Sequence, residues 1–191
     1  MSEDAPYTYP GSTVLRNKLG ITNPARLDRM ERLLVTQRAS EGIPRGRFGL
    51  AHLRAIHRHL FQDIYDWAGE LRTVEIAKDG HQFQFRRFIT TGMRDVHQRF
   101  VRTTFLRGLN HQDFANAAAR IMGDVNYVHP FREGNGRTQL FYLERLAEQA
   151  GHPVMLVRLE PRRWLAVSRA SHAGDYQPMA AEIASILYKV P

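Results

Sequence analysis

The chain has 191 residues, 43 % of them hydrophobic, which is the size and make-up of a globular protein with its own core. It contains no cysteine, which excludes disulfides, zinc–thiolate sites and thiol catalysis. A reducing, cytoplasmic setting is therefore expected, although the sequence leaves open delivery into another cell. No apolar stretch is long enough to predict a membrane span. The net charge of +8 attracts phosphate groups, but no run of about five basic residues predicts direct binding to nucleic acid.

Apolar spacing and capping residues predict a mostly α-helical chain with one β-hairpin. Residues 1–23 are irregular. The predicted helices cover residues 24–40, 50–67, 89–106, 112–128, 137–150, 161–171 and 178–188. Between the second and third helices the period changes, and alternating residues around Asp79-Gly80 predict a hairpin at about 71–86. Residues 154–159 form a short apolar segment.

Residues 129–137, which we call the glycine-rich loop, carry the strongest chemical signal. Two glycines let the backbone approach a ligand, and the following helix directs its positive end back into the loop, which favours a phosphate. Arg137 and the amide of Asn135 can donate to phosphate oxygens. Glu133 is a ligand that Mg²⁺ accepts, and His129 can take up a proton near neutral pH. On these grounds alone, a turn whose His and Glu merely cap helices remains an equal alternative.

The loop resembles the motif of Fic-domain proteins, His-x-Phe-x-Asp/Glu-Gly-Asn-Gly-Arg-x-x-Arg, over nine consecutive residues, 129–137. Residues 56–72 resemble the helix and exit that precede the family's flap hairpin. Residues 9–19 resemble the start of the bacterial Fic toxins of toxin–antitoxin pairs. The resemblance covers roughly residues 7–188 and implies a single Fic domain over 1–191, a helical bundle with one β-hairpin flap.

The resemblance implies a protein adenylyltransferase, which moves AMP from ATP to a hydroxyl of a target protein. His129 would be the general base, and Glu133 would hold Mg²⁺ on the phosphates. The implied nucleotide-binding residues are Glu133, Gly134, Asn135, Gly136 and Arg137.

The predicted hairpin at 71–86 corresponds in the family to the flap, to which a target segment adds as an extra strand. The residues expected to receive the target are Val74, Glu75, Ile76 and Ala77. The alternative is that the hairpin only covers the core.

One position departs from the family pattern: Leu140 stands where the second Arg is expected. In the family this Arg contacts the γ-phosphate and receives the glutamate of an inhibitory helix. Leu140 itself fits plain core packing, and Arg132 or Arg145 could substitute for the missing side chain. Loss of this Arg also leaves open a nucleotide- or target-binding protein with little activity, or transfer of another phosphate-containing group.

The family's inhibitory motif, Ser/Thr-x-x-x-Glu-Gly/Asn, has no intact copy in the sequence. The nearest candidate is Glu41-Gly42, but Gln37 stands four residues upstream of the glutamate. The resemblance therefore implies control by a separate small antitoxin.

Three histidines, His52, His57 and His59, lie on the second predicted helix. No carboxylate completes a familiar metal spacing, so we expect helix histidines with satisfied hydrogen bonds rather than a metal site.

Overall fold

The computed structural model describes residues 6–78 and 80–188. Within this part of the chain it contains seven α-helices and one two-stranded antiparallel sheet. In chain order the elements are α1 Pro24–Ser40, α2 Leu50–Phe61, β1 Ala77–Lys78, β2 His81–Gln82, α3 Ile89–Arg102, α4 His111–Val128, α5 Asn135–Ala150, α6 Pro161–His172 and α7 Gln177–Ile186. The mostly helical fold with one hairpin is confirmed.

Helix α4 lies at the centre of the bundle and packs against α3, α5, α6 and α7. Small residues on α4 allow this close approach; a Cβ on Gly123 would lie 2.5 Å from the ring of Tyr176. The buried residues of α4 are Phe114, Ala115, Ala118, Ala119, Ile121, Met122, Gly123, Val125, Asn126 and Val128. Because four helices pack against α4, its C-terminal end is a firm support for the glycine-rich loop that follows.

Local side chains begin two of the helices where the sequence predicts. The side chain of Asn23 accepts the backbone N–H of Arg26 at 3.0 Å, which caps α1. Asn110 accepts the N–H of Asp113 at 2.9 Å and caps α4.

Three predicted helices are too long at their C-terminal ends, and the second and third helices in chain order differ most. Helix α2 ends at Phe61, and residues 62–68 form turns that still bury Ile64, so the apolar period continues although the helix does not. Helix α3 ends at Arg102 because residues 104–106 have φ values of 50°, 55° and 61°, in the left-handed region. Apolar spacing indicates which residues are buried, and buried turns continue this spacing beyond the end of a helix.

The bounds of the last two helices, α6 and α7, also differ from the prediction. Helix α6 extends to His172, while α7 begins at Gln177 and ends at Ile186. Leu187 instead forms an antiparallel bridge with Val154, in the segment predicted to be short and apolar. No helix in the described part of the chain is both long and apolar enough to cross a membrane.

The hairpin is shorter than predicted. Its paired strands contain two residues each, with Ala77 opposite Gln82, and one further hydrogen bond of 3.1 Å joins the Phe83 N–H to the Ile76 carbonyl. Gly80 of the predicted turn has a φ of +80°, whereas Asp79 of that turn lies outside the described residues. Residues 71–75 do not pair as a strand. The backbone N–H of Arg72 bonds the carbonyl of Pro130 instead, and its buried guanidinium bonds the carbonyls of Val74 and Gln84.

Candidate active site

The glycine-rich loop is held in shape by its own side chains. His129 ends α4 in the left-handed conformation, with a φ of 45°. Phe131 is fully buried, and both its backbone N–H and its carbonyl bond the side-chain amide of Asn135, at 3.0 and 2.7 Å. Gly134 has a φ of +79°, and a Cβ there would lie 2.4 Å from the ring of Phe61, so only glycine fits. The loop therefore has one well-defined backbone path.

Helix α5 begins two residues earlier than predicted, which changes the groups that are available to bind a phosphate. The helix begins at Asn135 rather than Arg137, and its first internal bond joins the N–H of Thr138 to the carbonyl of Gly134 at 3.0 Å. The N–H groups of residues 135–137 thus have no carbonyl partner within the helix. The side-chain amide of Asn135, expected to donate to phosphate, bonds the loop instead. Three such donors at the positive end of a helix suit an anion, and we call them the anion-binding end of α5.

Glu133 places its carboxylate at the same helix end. Its Oε1 accepts the N–H of Gly134 at 2.8 Å and lies 3.6 Å from a guanidinium nitrogen of Arg137. The side chain is 46 % exposed, so the carboxylate is accessible to solvent. In the part of the chain that the structure describes, no group of three or more His, Cys, Asp or Glu residues could hold a metal ion by itself. One accessible carboxylate fits Mg²⁺, which takes most of its remaining ligands from phosphates and water.

Arg137 is oriented by groups that the sequence prediction missed. Its guanidinium donates to the carboxylate of Glu31 and lies 4.8 Å from the centre of the Phe61 ring. Glu31 is buried in α1 and also accepts the hydroxyl of Tyr65. Burial, together with the charge of Glu31, raises the pKa of Tyr65 well above its usual value, so the hydroxyl remains a donor. The signal that could have found Glu31 is a charged residue on the apolar face of α1.

The imidazole of His129 is neutral, and one of its nitrogens has an available lone pair. Its Nδ1 lies 3.2 Å from the carbonyl of Asn126, which can only accept, so Nδ1 carries the proton and Nε2 has the lone pair. Nε2 makes no hydrogen bond within the described residues. Burial, with smaller contributions from the charges of Arg72 and Lys78, lowers the pKa of His129 to about 3. The ring stacks on Phe83 with 3.7 Å between centroids.

Arg72 joins this base to the hairpin. Its guanidinium is fully buried and donates to the carbonyls of His129 at 2.8 Å and Val74 at 2.7 Å. It also donates to the carbonyl of Gln84 and lies 3.2 Å from a carboxylate oxygen of Glu75. Sequence reasoning assigned no role to Arg72, because a single Arg beside a predicted strand carries no pattern.

The four predicted flap residues take different environments. Val74 is buried, and Glu75 accepts the N–H of Arg86 at 2.9 Å as well as contacting Arg72. Ile76 is partly buried beside the pairing strands, and only Ala77 lies in β1, where it is exposed. Val74 and Glu75 thus anchor the hairpin, while 76 and 77 border its accessible edge.

Leu140 lies in a groove rather than in the core. It is partly buried and borders a cavity of about 320 Å³ between α1 and α5. The other residues that line this cavity are Arg32, Val35, Thr36, Ala39, Arg137, Phe141 and Leu156. Arg145, proposed as a substitute for the missing Arg, pairs with Glu148 and borders a different cavity. Besides Arg137, the cavity contains a second cationic residue, Arg32, which the sequence prediction did not consider.

The histidines of α2 bond the protein backbone. His52 contacts the carbonyl of Pro44 at 2.9 Å, and His59 that of Arg38 at 2.6 Å. His57 bonds Glu133 in the glycine-rich loop at 3.0 Å, and burial lowers its pKa to about 4. Each histidine has the satisfied hydrogen bonds that the sequence analysis expected.

Comparison with known proteins identifies the family. The model of the Fic/DOC family matches residues 47–147, which include the glycine-rich loop and the hairpin. The chain belongs to the Fic/DOC family. It is 40 % identical over 182 residues to a probable protein adenylyltransferase of Sinorhizobium fredii, covering 93 % of each chain. It is 36 % identical over 178 residues to the probable protein adenylyltransferase Fic of Salmonella typhimurium, covering 92 % of this chain and 88 % of that one.

Solved structures agree with this membership. The BepC protein of Bartonella tribocorum, with bound AMPPNP, superposes over the full length of both chains with a TM-score of 0.90 and 27 % identity. The N-terminal Fic domain of a Bartonella quintana effector, with bound ADP, gives a TM-score of 0.88 at 28 % identity, covering 96 % of this chain and 95 % of that one.

Proposed function

We propose that this Fic protein transfers AMP from ATP to a hydroxyl side chain of a target protein. The observation that carries the proposal is a neutral imidazole, His129, with an available Nε2, on the same rigid loop as the anion-binding end of α5. Transfer of a phosphate-containing group to a hydroxyl needs a base and a phosphate site at a fixed distance from each other, and one loop holds both.

The nucleotide phosphates would lie against the N–H groups of residues 134–137. Arg137 would add a charged donor, since Glu31 and the Phe61 ring hold its guanidinium beside the loop. Glu133 would exchange its contact with the Gly134 N–H for Mg²⁺, which neutralises phosphate charge when bound. The N–H of Gly134, which now donates to this carboxylate, would then be available to donate to a phosphate oxygen.

His129 would act on the target hydroxyl. Its Nε2 takes the hydroxyl proton as the oxygen forms a bond to the α-phosphorus. The bond from that phosphorus to the bridging oxygen of the β-phosphate breaks, and pyrophosphate leaves with the electron pair. Because the pKa of His129 is about 3, the ring is neutral and its Nε2 lone pair is available across the physiological pH range.

The hairpin would present the target. β1 pairs with β2 on one side, and its exposed residues, Ala77 and Lys78, border the other side. A target segment that adds there by main-chain hydrogen bonds would place its hydroxyl near His129, because Arg72 ties the hairpin to the His129 carbonyl.

Control by a separate antitoxin belongs to the same proposal. Glu41, the nearest sequence candidate for an internal inhibitory glutamate, pairs with Arg38 at 2.9 Å. The groove beside Leu140 and Arg137 is open and would accept an inhibitory helix from a partner. Cytoplasmic action, or delivery into another cell, remains a prediction from the sequence.

The position of a radioactive label tests the reaction. The purified protein is incubated in a cell lysate with Mg²⁺ and either α-labelled or γ-labelled ATP. The same lysate without the protein serves as the control, because its own kinases label proteins from the γ-position. Adenylylation predicts labelling above this control from α-labelled ATP alone. Added labelling from the γ-position would instead indicate phosphorylation, and nucleotide binding without any added labelling would indicate a binding protein.

A further inference from the structure

His57 makes two hydrogen bonds that link α2 to the glycine-rich loop. It lies in α2 with no exposed surface. Its Nδ1 accepts the backbone N–H of Gly69 at 2.8 Å, and its Nε2 lies 3.0 Å from the backbone carbonyl of Glu133. The ring stacks on Phe131 with 3.9 Å between centroids. The imidazole is therefore fixed in position and in plane.

The partners of the ring also fix its proton. A backbone N–H can only donate, so Nδ1 holds the lone pair and Nε2 carries the hydrogen. Nε2 then donates to the carbonyl of Glu133, which can only accept. Among the residues that the structure describes, neither nitrogen has an alternative partner, so the ring holds this carbonyl in one orientation.

That orientation determines where a phosphate donor points. In a planar trans peptide the carbonyl and the N–H of the next residue point in opposite directions. His57 draws the carbonyl of Glu133 toward α2, so the N–H of Gly134 points away from α2 and meets the carboxylate of Glu133 at 2.8 Å. This N–H already binds one anionic group, the carboxylate of Glu133, so it points to a position where a phosphate oxygen can bind.

We propose that His57 is a positioning residue for nucleotide binding: by holding the Glu133–Gly134 peptide, it directs the Gly134 N–H toward the phosphates. This rests on the proposed function, because it assumes that the loop binds a nucleotide. The expected substrate-facing donor is the backbone of Gly134, and His57 acts only through it.

Two variants separate this role from simple packing. The amide nitrogen of glutamine can replace Nε2, so His57→Gln keeps a donor to the Glu133 carbonyl. The shorter asparagine can replace Nδ1, so His57→Asn keeps an acceptor for Gly69 and loses the bond to the loop. Both variants lose the ring stack and leave a cavity. A third variant, Phe100→Leu, loses buried packing away from the loop and controls for lowered stability.

The measurements are ADP and ATP affinity by calorimetry with Mg²⁺, and melting temperature. We expect His57→Asn to weaken nucleotide binding about tenfold, as the loss of one hydrogen bond predicts, and His57→Gln to stay within about threefold of wild type. The melting temperature should be lower than that of wild type in all three variants. Equal affinities for His57→Asn and His57→Gln would overturn the positioning role.

A second readout needs no nucleotide. Hydrogen exchange of the Gly134 amide, followed by NMR in the ligand-free protein, should be faster in His57→Asn than in His57→Gln and Phe100→Leu. Equal exchange in the two His57 variants would overturn the inference. Failure of wild type to bind ATP or ADP would instead overturn the proposed function, while the exchange rates would still decide whether His57 orients the peptide.

Discussion

Replacement of Leu140 by Arg should strengthen ATP binding without loss of stability. Leu140 borders a groove of about 320 Å³, so a longer side chain has room and its guanidinium can stay in water. A charge-assisted hydrogen bond contributes about 1.5–3 kcal/mol, or roughly 10–150-fold in affinity. Arg32 and Arg137 line the same groove and would repel the new charge, so we expect the lower end, about tenfold.

Calorimetry with ATP and ADP, together with melting temperature, provides the assay. Leu140→Arg should bind ATP more tightly and ADP with little change, because only ATP has the γ-phosphate. Leu140→Gln, which is polar but uncharged, serves as the control. The melting temperature should move by no more than about 2 °C, as for a surface substitution. A larger loss would show that the side chain is forced into the core, and an equal gain for ADP would show a general charge effect; either result refutes the reasoning.

Four further predictions concern the loop and the hairpin. A Cβ on Gly136 would meet no atom within 4 Å, whereas a Cβ on Gly134 would lie 2.4 Å from an aromatic ring. Melting curves should therefore show that Gly136→Ala keeps the stability of the protein and that Gly134→Ala lowers it. Calorimetry should show weaker ATP binding for both variants. The lowered pKa of His129 keeps the base neutral, so the transfer rate should be flat from about pH 5 to 8; a fall in rate with a midpoint near 6.5 would show an ordinary histidine. Arg72→Lys keeps the charge but loses the donor fork, so labelling of the target should fall about tenfold while ATP affinity persists. Glu133→Gln should make ATP affinity nearly independent of Mg²⁺, measured against a chelator; an unchanged Mg²⁺ dependence would contradict its role as a ligand.

The sequence was most informative where a residue acts through local geometry. Asn23 and Asn110 cap helices within three residues, so their roles could be predicted without knowing the fold. The prediction that the glycine-rich loop binds an anion rests on the same kind of local signal, since glycines followed by a helix lie in consecutive residues.

The rest depends on contacts between distant parts of the chain. Glu31 meets Arg137 across 106 positions, and Arg72 meets the carbonyl of His129 across 57. Asn135 has the right chemistry to bind phosphate, yet its amide bonds Phe131, because an otherwise unpaired backbone inside a buried loop is costly. No spacing rule in a single sequence reports such pairings.

The most direct test of the catalytic claim is the rate of α-label transfer by wild type and His129→Ala at saturating ATP, with ATP affinity measured on the same preparations. The base role predicts a rate loss of about 10²–10⁴-fold with nearly unchanged ATP affinity and melting temperature. Transfer by His129→Ala at the wild-type rate would contradict it.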